Sequence, residues 1–211
     1  MRNGWASALE DEAARDIPRL FVAVPLGEEA RASIARLVEE VQAGAEAGAR
    51  GQRSPVRWVR MDGLHVTLRF LGPTPEERIA ELGAIVDDAA ASVAPFRVSI
   101  RGSGAFPSPR RPRTLWLGID DGAETLAAVA RRFDELLGKA GWPTDDRPVR
   151  AHLTLARADG RREGPAVAVL LAAHSVGFET QFPADRLVLF ESVTGGGPAR
   201  YVERHTAPLS G

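Results

Sequence analysis

Two of the chain's four histidines occupy the same local frame: His65 opens "HVTLRFLG" and His152 opens "HLTLARA". In an extended strand, side chains at i and i+2 share a face. His65 with Thr67, and His152 with Thr154, therefore each present an imidazole beside a hydroxyl, with Val66, Leu68, Leu153 and Leu155 packing behind. A single His alternating with Thr is ordinarily a polar-face residue without chemistry, and it is the repetition of H-x-T-L that lifts these two above that background. Two imidazoles facing each other across a cleft suit a reaction that accepts one proton and donates another near neutral pH. The Thr hydroxyls can donate hydrogen bonds to non-bridging phosphate oxygens, where charge accumulates. In-line displacement at phosphorus places attacking and leaving oxygens on opposite sides, which one His from each side satisfies. His174 and His205 lack the frame and read as structural or solvated.

Other side chains are candidates by position. Arg69 shares the face of His65 and Thr67 by alternation, whereas strict alternation turns Arg157 away from His152 unless a strand end or a bulge at Ala156 brings it back. Arg110, Arg111 and Arg113 lie between prolines in "PSPRRPR", an extended, exposed composition able to touch RNA phosphates beyond the reacting one. Phe21, Trp58, Phe70 and Trp116 fall on predicted strands, where core packing competes with stacking on a base.

The elements that must position these groups alternate strand and helix. "RLFVAVPL" (19–26) reads as a strand, and the stretch after it is an amphipathic helix with Ile34, Leu37, Val38 and Val41 on one face. "GARGQRSP" breaks that helix; "VRWVR" and "LHVTLRFLG" are strands around a Met-Asp-Gly turn. A second helix follows Thr74, predicted as its cap. From residue 96 the order recurs: strands "FRVSIRG" and "TLWLGI", a helix from Ala123, the strand of His152, a short apolar helix, and strands "RLVLFESV" and "ARYVERHTA" joined by "TGGGP". The expected fold is α+β: a duplicated, bilobal unit, each lobe an antiparallel sheet with helices outside, and a central cleft lined by the two H-x-T strands. Residues 1–18 are expected to be a flexible N-terminal extension and 19–208 a single bilobal domain.

Bulk properties narrow the class. A net charge of −1 gives no overall basic field, so any polyanion is met locally. The chain has no Cys, which excludes disulfides, thiolate nucleophiles and cysteine zinc sites and fits a reducing compartment. No apolar run reaches membrane-spanning length and the N-terminus lacks the apolar core of a signal peptide, so a cytoplasmic monomer is expected. The sequence holds no H-E-x-x-H, acidic metal cluster or G-x-S-x-G, and "TGGGP" lacks the Lys and Ser/Thr of a P-loop, so no metal or other cofactor is expected.

The paired H-x-T-L motifs resemble the two-histidine phosphoesterase superfamily. "RLFVAVPL", "RWVRMDGLHVTLRFLG", "GSGAFPSPRRPRTLWLGI", "RPVRAHLTLAR" and "LVLFESV" resemble its RNA 2′,3′-cyclic phosphodiesterase branch, also called the 2′-5′ RNA ligase or LigT-like family, over about residues 19 to 208. The resemblance implies metal-free hydrolysis of RNA or nucleoside 2′,3′-cyclic phosphates to 2′-phosphomonoesters, with weak reverse 2′-5′ ligation. It also implies roles: His65 as general acid toward the departing 3′ oxygen, His152 as general base on water, and Thr67, Thr154 and Arg157 on the phosphate. Partners would be RNA with cyclic phosphate ends or small cyclic nucleotides, and no membrane. Two alternatives stand beside this reading: a phosphodiesterase for another cyclic phosphate or a 2′-5′ oligonucleotide, and a module that binds nucleotides or RNA ends without turnover. Intact His and Thr in both motifs weigh against the second, because binding alone needs no matched acid and base.

Overall fold

The structure, a computed structural model, describes residues 17–48, 56–144, 149–159, 163–195 and 199–211. The expected extension over 1–18 lies outside the described residues apart from its last two, where the carbonyl of Pro18 accepts from the amide of Thr74 at 2.8 Å. The break expected at 48–55, apart from Gly48, and most of the "TGGGP" turn also lie outside them.

Among the described residues, nine strands form one sheet: β1 (Arg19–Pro25), β2 (Arg57–Trp58), β3 (His65–Pro73), β4 (Phe96–Phe106), β5 (Thr114–Ile119), β6 (His152–Arg157), β7 (Glu179–Ala184), β8 (Arg186–Val193) and β9 (Arg200–Pro208). Their spatial order is β7-β4-β5-β6-β3-β1-β8-β9, and β2, off this path, pairs with β6. Every recorded pairing is antiparallel. The sheet is two four-stranded halves, β3-β1-β8-β9 and β7-β4-β5-β6, joined where Val66 of β3 pairs with Leu153 of β6. Beyond that pair the strands part, and β2 takes up β6 instead, with Arg57 opposite Arg157 and Trp58 opposite Ala156.

Among the described residues, four helices cover the back: α1 (Glu28–Gly48), α2 (Ile79–Ala90), α3 (Ala123–Lys139) and α4 (Gly164–His174). Each half of the chain lends one helix to the other lobe. α1, which leaves β1, packs on α4 and β7; α3, which leaves β5, packs on α2 and β3. The apolar face of α1 is buried as its spacing predicts, with Ile34 and Val41 inaccessible, and α3 buries Leu126, Ala130, Phe133 and Leu137. The main core thus lies between sheet and helices, while Phe21, Ala23, Val188 and Phe190 form a second small cluster on the cleft side.

Local departures from the sequence reading have local causes. Thr74 caps nothing: its hydroxyl turns back to the carbonyl of Gly72 (3.2 Å), and the chain passes through a 3-10 turn at Glu76–Arg78 before α2 begins. β7 was not predicted; it completes the edge by pairing with β4 from Phe96↔Ala184 to Arg101↔Glu179. The packed chain continues past residue 208, since Leu209 is buried and the amide of Gly211 bonds the carbonyl of Val93.

The joining pair is fully buried, with both Val66 and Leu153 at 0% exposure. Leu153→Ala leaves a cavity at the seam and is expected to cost about 2–5 kcal/mol of folding stability. Urea unfolding measures it; a loss below about 1 kcal/mol would mean that the seam carries little of the fold.

Candidate active site

Antiparallel pairing centred on Val66 and Leu153 sets His65 across from Thr154 and Thr67 across from His152, so a local two-fold relation runs through the seam. The two imidazoles lie on a diagonal of the same face, each beside the other motif's hydroxyl. Both rings are held alike: His65 Nδ1 lies 2.7 Å from the carbonyl oxygen of Gly63, and His152 Nδ1 lies 2.6 Å from that of Arg150. A carbonyl can only accept, so Nδ1 carries the proton in both rings and each Nε2 is left for chemistry. Neither Thr67 nor Thr154 has a hydroxyl partner among the described residues, which leaves both free to meet a ligand.

Past the motifs, both strands slip by one residue. On β3 the register passes from Ala23↔Thr67 to Val22↔Arg69, skipping Leu68; on β6 it passes from Trp116↔Thr154 to Leu115↔Ala156, skipping Leu155. In each case the extra residue is the Leu of H-x-T-L, and a bulge there reverses which face later residues occupy. Two expectations change as a result. Arg157 returns to the cleft face, through a bulge at Leu155 and not at Ala156, and donates from Nη1 to Thr114 Oγ1 at 2.6 Å. Arg69 is turned away from His65 and Thr67 to the helical side, where its Nε lies 3.1 Å from Asp134 Oδ1 on α3 and its Nη2 donates to the Pro143 carbonyl. Phe70 takes the cleft-facing place and is 66% exposed.

A cavity of about 820 Å³ lies along this face, lined by His65, Thr67, Phe70, Thr154, Arg157 and Tyr201 together with Arg19, Arg57, Trp58 and Arg60. His152 is not among the lining residues; it lies edge-on to Phe106 (5.1 Å) and near Trp116 (6.3 Å). Arg60 is held by Asp62. Arg110, Arg111 and Arg113 are exposed and outside the lining, on the loop that enters β5 at Thr114, opposite Arg157. His174 faces Glu40 at 3.3 Å and His205 faces Asp87 at 2.7 Å, both far along the chain from the motifs and outside the cavity. Among the described residues no group of three or more His, Asp and Glu gathers as a metal site would require.

The surroundings of the two histidines differ. His65 lies 4.7 Å from the Phe21 ring and 4.8 Å, edge-on, from Tyr201, with Phe190 at 5.9 Å. Burial in this aromatic nest pushes the His65 imidazole below its ordinary pKa, opposed by the bond to Gly63, which favours the charged ring. Burial raises the Tyr201 hydroxyl above its usual value, with the charge of Arg157 acting against it, so Tyr201 stays a proton donor. Glycines make the room: a Cβ on Gly63 would meet the Tyr201 ring at 2.9 Å, and one on Gly104 would meet Trp116 at 2.3 Å. Sequence reasoning missed Tyr201, whose only signal was being the chain's sole Tyr within a terminal strand.

The profile of the 2′-5′ RNA ligase superfamily matches residues 31–196. The chain belongs to the 2′-5′ RNA ligase superfamily. It is 35% identical over 184 residues to the RNA 2′,3′-cyclic phosphodiesterase of Thermus thermophilus, covering 82% of this chain and 81% of that protein. It is 37% identical over 117 residues to the protein of the same name from Aeropyrum pernix, an alignment spanning 56% of this chain and 65% of the relative's length. A crystal structure of TT0787 from Thermus thermophilus superposes with a TM-score of 0.68 at 28% identity, over 92% of this chain and 98% of that one. The fold class read from the sequence, α+β and bilobal with the motif strands at its centre, is that of the 2′-5′ RNA ligase superfamily, although the helices are exchanged between its lobes.

The His65 environment sets a pH dependence. The folded value lies below the unfolded value of about 6.5, so the unfolded chain binds the proton that the native site refuses. Native stability should therefore fall as pH drops from about 6.5 toward the depressed folded value, and His65→Gln should flatten that slope. Heteronuclear NMR is expected to find His65 titrating below 6.5 and protonated at Nδ1; a His65 that titrates above 6.5 would contradict the aromatic nest.

Proposed function

We propose that the protein hydrolyses RNA or nucleoside 2′,3′-cyclic phosphates to 2′-phosphomonoesters without a metal ion. The observation that carries this reading is the matched pair of imidazoles, each fixed through Nδ1 and related across the Val66–Leu153 seam, with a free Thr hydroxyl beside each. The cyclic phosphate sits between the two rings. Thr67, Thr154 and Arg157 donate to its non-bridging oxygens, and the bond to Thr114 aims the Arg157 guanidinium. His152 takes a proton from water, whose oxygen bonds to phosphorus as the P–O3′ bond breaks on the far side. His65 gives its proton to the departing 3′ oxygen, leaving phosphate on the 2′ oxygen; proton exchange with solvent resets both rings. The relatives named RNA 2′,3′-cyclic phosphodiesterase support this substrate, and the superfamily's name supports weak 2′-5′ joining as the reverse of the same step. Residues 19–208 act as one unit, and a single copy suffices because both motifs lie in one chain. Arg110, Arg111 and Arg113 are proposed as outer RNA contacts at the Arg157 end. Among the described residues no helix is long and apolar enough to cross a membrane. A cytoplasmic location is proposed from the cysteine-free composition.

His65→Ala and His152→Ala are each expected to lower turnover of a nucleoside 2′,3′-cyclic phosphate by at least about 100-fold, in buffer containing EDTA, while His174→Ala changes it little. Phosphorus NMR of the wild-type product should show the 2′-phosphate. A 3′-phosphate would mean that the substrate lies the other way round. The pH profile tests the roles separately. If His65 is the acid, its depressed pKa places the falling, alkaline limb of kcat/KM below about 6.5, and substrate anion binding shifts that limb upward in kcat. Should kcat/KM instead rise through that pKa, His65 is the base and the two roles exchange.

A further inference from the structure

Some features of the cavity are not used by a reaction at one phosphorus. Among the described residues lining it there are four arginines and no Asp or Glu, in a chain of net charge −1. Arg60 is neutralised by Asp62, Arg157 is tied to Thr114, and Arg57 stands opposite Arg157 beside the motifs. Arg19 is different. It is exposed, its side chain has no hydrogen bond or ion pair among the described residues, and it occupies the far end of β1. The β1–β3 register runs from Pro25 opposite His65 to Arg19 opposite Pro73, a path of ~20 Å at about 3.3 Å per residue. Between them lies Phe70, the most exposed aromatic among the described large hydrophobics, its ring 5.9 Å from Phe21. An aromatic left 66% exposed inside an arginine-lined cavity is a stacking surface for a base, and a cation beyond it meets a backbone phosphate.

On this basis we infer that the cleft is built for the end of an RNA strand and not for a mononucleotide: the terminal base stacks on Phe70, and Arg19 holds a backbone phosphate upstream of the cyclic end. The inference rests on the phosphodiesterase reading and extends it by assigning an oligonucleotide subsite along β1 and β3. Arg19 lies too far along the strand to act on the reacting phosphate, so its contribution depends on chain length. The contribution of Phe70 does not, because the terminal base is present in both substrates.

The test compares kcat/KM for cytidine 2′,3′-cyclic phosphate and for a tetraribonucleotide ending in that group. Wild type should favour the tetramer at least about fivefold. Arg19→Gln should lower the tetramer value about three- to tenfold and the mononucleotide value less than about twofold, and should reduce the salt dependence of the tetramer reaction by about one phosphate contact. Phe70→Ala should lower both values about fivefold or more, with Phe70→Tyr restoring them. Equal losses on both substrates for Arg19→Gln, or no preference for the tetramer, would overturn the subsite. If folded wild type turns over neither substrate, the phosphodiesterase reading fails instead. Fluorescence anisotropy with a labelled tetramer ending in a 2′-phosphate, against cytidine 2′-phosphate as competitor, then decides the subsite alone: Arg19→Gln must weaken the tetramer selectively, and unchanged tetramer binding rejects it.

Discussion

The backbone pairing of Val66 with Leu153 is the point at which two four-stranded half-sheets become one sheet, and the candidate site is arranged around it. A longer ladder between β3 and β6 would zip the strands together and leave no cleft. Without any pairing, nothing would fix the distance or angle between the two motifs. One shared pair does both: it pins the strands at a point, lets them diverge beyond it, and places the histidines symmetrically about that point. The burial of both side chains makes the pin rigid, since interiors packed at crystal-like density deform little.

Symmetry of backbone is combined with asymmetry of surroundings. Both rings are tethered to the carbonyl two residues before, and both strands bulge at the motif leucine. At the fifth position after each His, the bulge brings a different chemistry into the cleft: Phe70 on one side and Arg157 on the other. His65 rests on a cluster of Phe21, Phe190 and Tyr201, whereas His152 meets Phe106 and Trp116 at greater distance from the cavity. On related scaffolds it is the unlike neighbours that set His65 apart, because burial among them lowers its proton affinity.

Much of this was legible in the residues. The period-two pattern of "HVTL" and "HLTL" places His and Thr on one face because strand alternation is steric and local, and the buried face of α1 follows from helical spacing in the same way. What was not legible depends on partners remote in sequence. Whether Arg69 or Phe70 faces the cleft is decided by which residue of β3 lies opposite Val22, and alternation counted along one strand has no access to that. The return of Arg157 was foreseeable as a condition, a bulge, but its position at Leu155 is set by pairing with Leu115 and Trp116. Tyr201 joins His65 only because β9 is carried beside β8, and β8 beside β1.

The exchange of helices between lobes bears on how such a chain can be divided. α1 leaves the half that made it and roofs the β4–β7 lobe, while α3 leaves the second half and roofs the lobe of β1 and β3. A gene cut between α2 and β4 would encode two fragments, each with an apolar helix face whose sheet belongs to the other fragment. Neither is a small domain in its own right. β8 and β9, made by the second half, complete the sheet of β1 and β3, so the same cut would also part β1 from β8 and convert an intramolecular cleft into a concentration-dependent one.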